Sequence, residues 1–186
     1  MFKPIMKTCI CSMLLLFVTT GCATQISKPK SQPQPAKVRL GTFSTVEMRE
    51  VQISPDFADA AANKKAAKKI NEIICRDMKV IFPKLKVLAA NEDFSGSKGS
   101  LQITPVIKEI KFIGGAARFW LGAMAGSSAV LMQVDYRNGQ TGEVIAEPEF
   151  LEVASAFAGG WSIGATDNHM LEKVAMDVTS YTTLYR

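Results

Sequence analysis

The stretch Gly114–Val134, GGAARFWLGAMAGSSAVLMQV, decides the fold. It is apolar for most of its length, is interrupted by Arg118, and is rich in glycine at its start. As a membrane span it is too short. The charge-free run from Phe119 to Val134 includes Gly122, Gly126, Ser127, Ser128 and Gln133, whereas a spanning helix needs about 20 predominantly apolar residues. Gly122 and Gly126 have the spacing of a helix-dimer contact. Extending that stripe back reaches Arg118, whose burial in lipid would cost several kcal/mol. The second half reads better as a strand. Val130, Met132, Val134 and Tyr136 fall on one side, and Ala129, Leu131, Gln133 and Asp135 on the other, up to turn signals at Asn138-Gly139 and Thr141-Gly142.

Working outward, EVIAEPEFLEVASAFA (residues 143–158) reads as the returning partner strand, with Leu151, Val153 and Phe157 alternating against Glu152, Ala154 and Ala156, and with Pro148 at a bulge. Upstream, Leu101–Ile113 reads as another strand in which Pro105 marks an edge or a bulge. If these three strands are successive and antiparallel, the segments GGAARFWLGAMAG and AGGWSIG leave from the same end of the sheet. That end would gather Arg118, Phe119, Trp120 and Trp161. Two readings stand for this group: a patch for a partner, a ligand or the lipid interface, or tryptophans that fill the open end of the core.

The remaining elements complete the architecture. Val38–Ile53 is rich in β-branched residues and reads as a first strand broken near Gly41. Asp59–Phe82 reads as an amphipathic helix with Ala62, Ala66, Ile70, Ile73, Ile74, Val80 and Ile81 inward and Lys64, Lys65, Lys68 and Lys79 outward, ended by Pro83. KLKVL is a short strand and NEDFSGSKGS a loop. The last element, from Asp167 to about Thr183, places Leu171, Val174, Ala175, Val178, Thr182 and Tyr185 on one stripe, with Lys173, Asp177 and Ser180 opposite. The expected class is α+β: a mixed, largely antiparallel sheet of four or five strands with two amphipathic helices packed on it.

The N-terminal residues speak to location. Lys3 and Lys7 precede an uncharged run from Thr8 to Thr20 and a small residue before Cys22, the order of an export signal. Val18-Thr19-Thr20-Gly21-Cys22 resembles the lipobox of bacterial lipoproteins, in which cleavage precedes a cysteine whose thiol is acylated; Thr19 stands where leucine is usual. Residues 1–21 are thus read as a signal, 22–36 as an acylated cysteine and flexible tether rich in Pro, Gln, Ser and Lys, and 37–186 as one domain. By the same resemblance Ala23, which is not aspartate, points to the outer membrane. The formal charge of +5 includes Lys3, Lys7, Lys28 and Lys30, which lie on signal and tether. The domain itself is near neutral, and no nucleic-acid motif is present. Cys75 is the only cysteine beyond Cys22, so no disulfide forms within the domain.

The central region is similar to a family of small bacterial envelope lipoproteins classed as a domain of unknown function. Arg118, Gly122 with Gly126, the alternating strand from Ser128 to Tyr136, and the turn Thr141-Gly142-Glu143-Val144 carry the resemblance. It implies an exported α+β domain of the cell envelope, and it brings no established activity or catalytic residue.

Chemistry-bearing motifs are few. There is no HExxH, paired CxxC, GxSxG or phosphate loop, and His169, the sole histidine, falls on the outer face of the last helix. No metal or cofactor is expected. Glu143, Glu147, Glu149 and Glu152 cluster on one hairpin, where alternation assigns them largely to a solvated strand face. Asp77 falls within the apolar face of the first helix, either at a solvated helix end or paired with Arg118 as a buried ion pair. Cys75, beside Arg76 and Lys79, is either an activated thiol or an inert one. The expectation is a non-enzymatic, acyl-anchored envelope accessory that meets another envelope protein. The alternative is a periplasmic small-molecule or lipid-binding lipoprotein with its pocket between helices and sheet.

Overall fold

The computed structural model describes residues 26–112, 127–154 and 165–186. Among the described residues the elements run β1 (Thr45–Arg49), β2 (Gln52–Ile53), α1 (Ala61–Ile81), β3 (Lys86–Leu88), β4 (Ser100–Lys111), β5 (Ser128–Asn138), β6 (Val144–Ala146), β7 (Glu149–Ala154) and α2 (Ala165–Leu184). All seven strands form one sheet in the order β3-β1-β4-β5, with β6 and β7 in succession on the outer side of β5 and β2 beside β4. The class is α+β, as the sequence indicates. The sheet is mixed rather than largely antiparallel, and it has more strands than the four or five expected.

The reason lies in the connections. The helix α1 carries the chain from the end of β1–β2 back to its start, so β3 enters parallel to β1. β4 follows parallel to both β1 and β2. Antiparallel pairing begins only with β4–β5 and continues through β6 and β7. The expected first strand is two short ones, and the gap between them falls opposite Pro105. β1 pairs with β4 up to Ile103, and β2 resumes at Val106. Val134, paired with Pro105, donates its N–H outward to the Pro148 carbonyl, so the missing donor of Pro105 faces the gap, where no ladder bond is lost. Val51, in the gap, donates instead to Asn71 Oδ1 of α1 at 3.0 Å.

One face of the sheet is covered by both helices. Val130, Met132, Val134 and Tyr136 are fully buried there beside Ile103 and Ile107, under Ile70, Ile74 and Met78 of α1 and Val174, Ala175 and Val178 of α2. Tyr136 and Thr182 hydroxyls lie 2.7 Å apart within this core. Since Thr182 donates to the Val178 carbonyl at 2.8 Å, Tyr136 is the donor of the pair. Burial holds the Tyr136 phenol far above its usual range, and the bond to Thr182 offsets only part of that.

Two residues of α1 expected inward, Ala62 and Val80, are exposed. Val80 is 77% exposed, and Met78 takes the buried position. The true inner stripe of α1 is Ala66, Ala67, Ile70, Ile74, Met78 and Ile81, so Asp77 sits at its edge rather than in its middle. In β7 the alternation is the reverse of that expected. Phe150, Glu152 and Ala154 share the face of Met132, Val130 and Ser128, while Leu151 and Val153 lie on the far face with Leu131 and Ala129.

No helix among the described residues is long and apolar enough to cross a membrane. The strand half of the opening stretch is β5, and its glycine-rich half lies outside the described residues.

Candidate functional site

The candidate site is the outer edge of β6 and β7, where the N-terminal segment meets the sheet. Residues 26–37 are poor in donors that a sheet could use, with prolines at 29, 33 and 35. The segment is held at four points. Ser27 N–H donates to Glu109 Oε2 at 2.8 Å, and Lys30 N–H to Glu149 Oε2 at 2.7 Å. The Tyr181 hydroxyl of α2 donates to the Gln34 carbonyl at 2.7 Å, and Lys37 N–H to the Ile145 carbonyl of β6 at 3.1 Å. The chain therefore starts on the far face of the sheet, crosses it, rounds the β7 edge and reaches the helix layer. It acts as a strap over an edge strand, which otherwise offers unpaired backbone groups to other chains.

Strap, strand and helix enclose an open groove of about 730 Å3, lined by Pro29, Pro33, Phe150, Leu151, Asp177 and Ser180 among others. Tyr181, next to Ser180, meets Phe150 edge-on and Tyr136 and Tyr185 at a tilt, with ring centroids 5.9, 5.8 and 4.6 Å away.

Three charged groups meet beside the groove. Glu152 is not on a solvated face, as its hairpin position suggested; its side chain is only 13% exposed. Lys173 Nζ lies 2.7 Å from each of its carboxylate oxygens. Asp177, one turn on in α2, is pushed up to about 6, first by burial, then by its hydrogen bond to Glu152 and repulsion from it, against the opposing pull of Lys173. The Glu152 carboxylate thus meets the Lys173 ammonium on one side and the Asp177 carboxyl on the other, an arrangement that takes up a proton in mildly acidic conditions. The sequence could have suggested this cluster only if the β7 alternation had been assigned correctly. Both faces of EFLEVA carry apolar residues, so the pattern alone is ambiguous.

The residues singled out from sequence are placed as follows. Asp77 is paired with the adjacent Arg76, Nε to Oδ1 at 2.7 Å. Its suggested partner Arg118 lies outside the described residues, as do Cys22, Phe119, Trp120 and Trp161. The two segments carrying the aromatic residues do leave from one end of the sheet, as the pairings Lys111 with Ala129 and Ser128 with Ala154 require. Cys75 is free and half-buried. Burial pushes its thiol up, Lys79 lowers it and Glu50 raises it, and Sγ rests 3.6 Å from Asn71 Oδ1. That is the environment of an inert thiol. His169 is exposed on α2. Among the described residues, no group of three or more His, Cys, Asp or Glu side chains could hold a metal ion.

No family model matches the chain, and no curated protein matches it. Solved structures similar to it include the PelC dodecamer from Paraburkholderia phytofirmans, at 12% identity and TM-score 0.47, covering 85% of this chain and 92% of that one. Protein XCC0632 from Xanthomonas campestris, described as family DUF330, is 8% identical with TM-score 0.44, over 84% of this chain and 89% of that one. Lipoprotein GNA1162 from Neisseria meningitidis is 5% identical with TM-score 0.39, over 73% of this chain and 98% of that one.

Proposed function

We propose that the protein is a non-enzymatic lipoprotein of the bacterial outer membrane, anchored by acyl groups on Cys22 and facing the periplasm, where its domain serves as an interaction module for another envelope component. The observation that carries this reading is the order of the first residues: Lys3 and Lys7, an apolar run, then Val18-Thr19-Thr20-Gly21-Cys22. Acyl chains contribute roughly 0.8 kcal/mol per buried methylene, so two or three of them give stable attachment. Ala23 in place of aspartate supports the outer membrane. The partner-facing patch in this reading is Arg118, Phe119, Trp120 and Trp161, carried on the segments that follow β4 and β7.

Membrane flotation tests the proposal. Wild-type protein is expected to float with outer-membrane vesicles, and Cys22→Ser to stay in the soluble fraction. Equal flotation of the two would contradict acyl anchoring. Affinity purification from crosslinked membranes should then recover an envelope protein whose yield falls in Trp120→Ala and Trp161→Ala.

The groove beneath the strap favours a second reading, a small-molecule or lipid-binding lipoprotein. Its volume of about 730 Å3 is within the usual range of ligand clefts. A lipid extract of the purified protein that contains one stoichiometric species, lost in Phe150→Ala, would favour this reading over the first.

A further inference from the structure

The strap has a direction, and it determines where an anchor can lie. Ser27, at its start, is held by Glu109 on the face of the sheet that the helices leave uncovered. A β-bulge between Ile107 and Glu109 gives that face Lys108 and Glu109 together, while Ile107 and Ile110 remain in the core. Cys22 is five peptide steps before Ser27, and an extended chain of that length reaches at most about 18 Å. The outward surface of the helix layer lies beyond the sheet and a helix diameter of about 10–12 Å, around the edge of the molecule. While the strap is docked, an anchor at Cys22 is tied to the far face and kept from the helix face.

The charges on the far face agree with this. Its carboxylates are engaged within the protein: Glu109 and Glu149 accept from neutral N–H groups of the strap and keep their charge, Asp135 and Glu147 face Arg137, and Glu47 meets Ser95 and Lys86. Lys28 and Lys30 on the strap, with Lys108 and Lys111 on β4, form no ion pair among the described residues. The four lysines outnumber the charges of Glu109 and Glu149 beside them, and such a net positive side attracts anionic headgroups.

We infer that the side of the domain opposite the helices is membrane-apposed, with Lys28, Lys30, Lys108 and Lys111 meeting anionic phospholipid headgroups and the helix layer turned away; the sheet itself is screened on that side, where Ala129 and Leu131 are buried. This rests on the acylation of Cys22 proposed above. The docked strap fixes the orientation. Released back to Lys37, the chain would reach about 50 Å, and either face could meet the bilayer.

Two exposed apolar positions make a matched pair for the test: Val153 on the far face, 50% exposed, and Met176 on the outer side of α2, 57% exposed. Full-length lipidated protein carrying Cys75→Ser and either Val153→Cys or Met176→Cys is labelled with a fluorophore. It is then inserted into vesicles of phosphatidylethanolamine and phosphatidylglycerol bearing a headgroup-attached quencher. The label at 153 is expected to be quenched at least threefold more than that at 176. Glu109→Ala with Glu149→Ala should bring the two labels together. Replacing phosphatidylglycerol with phosphatidylcholine, or introducing Lys108→Gln with Lys111→Gln, should reduce the quenching at 153. Equal quenching in the unaltered strap, or stronger quenching at 176, overturns the orientation, and insensitivity to lipid charge overturns the role of the lysines. Recovery of only non-acylated protein, read from its intact mass, overturns the anchoring proposal and this inference with it.

Discussion

The two faces of β5 are joined to the rest of the molecule by different physics. On one, Val130, Met132, Val134 and Tyr136 are fully buried against two helices, and their attachment is a continuous apolar contact that does not depend on any single hydrogen bond. On the other, Ala129 and Leu131 are buried but Gln133, Asp135 and Arg137 are only partly so, and the strap that crosses this side is held largely by individual hydrogen bonds, two of them to half-exposed carboxylates. The first arrangement sets the fold. The second can come and go without unfolding the domain, which suits a segment between an anchor and a domain.

Core truncation should produce the largest effect. Met132→Ala is expected to destabilise by about 2–5 kcal/mol, measured by urea denaturation, whereas Val153→Ala on the opposite face should stay within about 0.5 kcal/mol. Similar losses at the two positions would erase the distinction between the faces. Next is Tyr136→Phe, which removes a buried donor but leaves Thr182 bonded to the Val178 carbonyl. A loss of about 1 kcal/mol is expected.

The double replacement of Glu109 and Glu149 by alanine should cost less than about 1 kcal/mol, since exposed charged contacts contribute little. Trypsin should nevertheless cut after Lys30 much faster, and an unchanged cleavage rate would show that these carboxylates do not hold the strap.

The subtlest effect is in pH dependence. Asp177 is raised from 3.8 to about 6 in the folded protein, so the native state binds its proton more tightly than the unfolded chain. Its contribution to stability therefore falls as pH rises from about 4 to 6. Asp177→Asn should flatten thermal stability across that window and raise it at pH 7 relative to wild type. A steeper profile in the variant would contradict the shared-carboxyl arrangement with Glu152 and Lys173.

The same contrast explains what could be read from sequence. β5 was legible because its alternation is strong on one side and its ends are marked by turn residues. Asn138 Oδ1 accepts from Gln140 and Thr141, and Gly142 adopts φ +71° in the connection to β6. Both helices were legible from period, although Val80 and Met78 exchanged roles because apolar residues flank the true stripe on both sides. The parallel half was not legible. Strand direction depends on where α1 returns the chain, and no local pattern in β1 or β3 records that. β7 failed for a related reason: Leu151 and Val153 are as apolar as Phe150 and Ala154, and only the register with β5 decides between them. The composition of the strap, which cannot build a core, indicates only a tether. Its hydrogen bonds run from backbone N–H groups to Glu109 and Glu149, and composition carries no trace of such contacts. The carboxylate cluster at Glu152 was hidden behind the misassigned face.

Hydrogen exchange at the backbone amides of Lys30 and Lys37, in the full-length lipidated protein, tests the docked strap most directly. The account predicts exchange at least tenfold slower than in a peptide of residues 26–37 alone, about 1.4 kcal/mol of protection, yet faster than at Met132 in the core. Exchange at the free-peptide rate would contradict it.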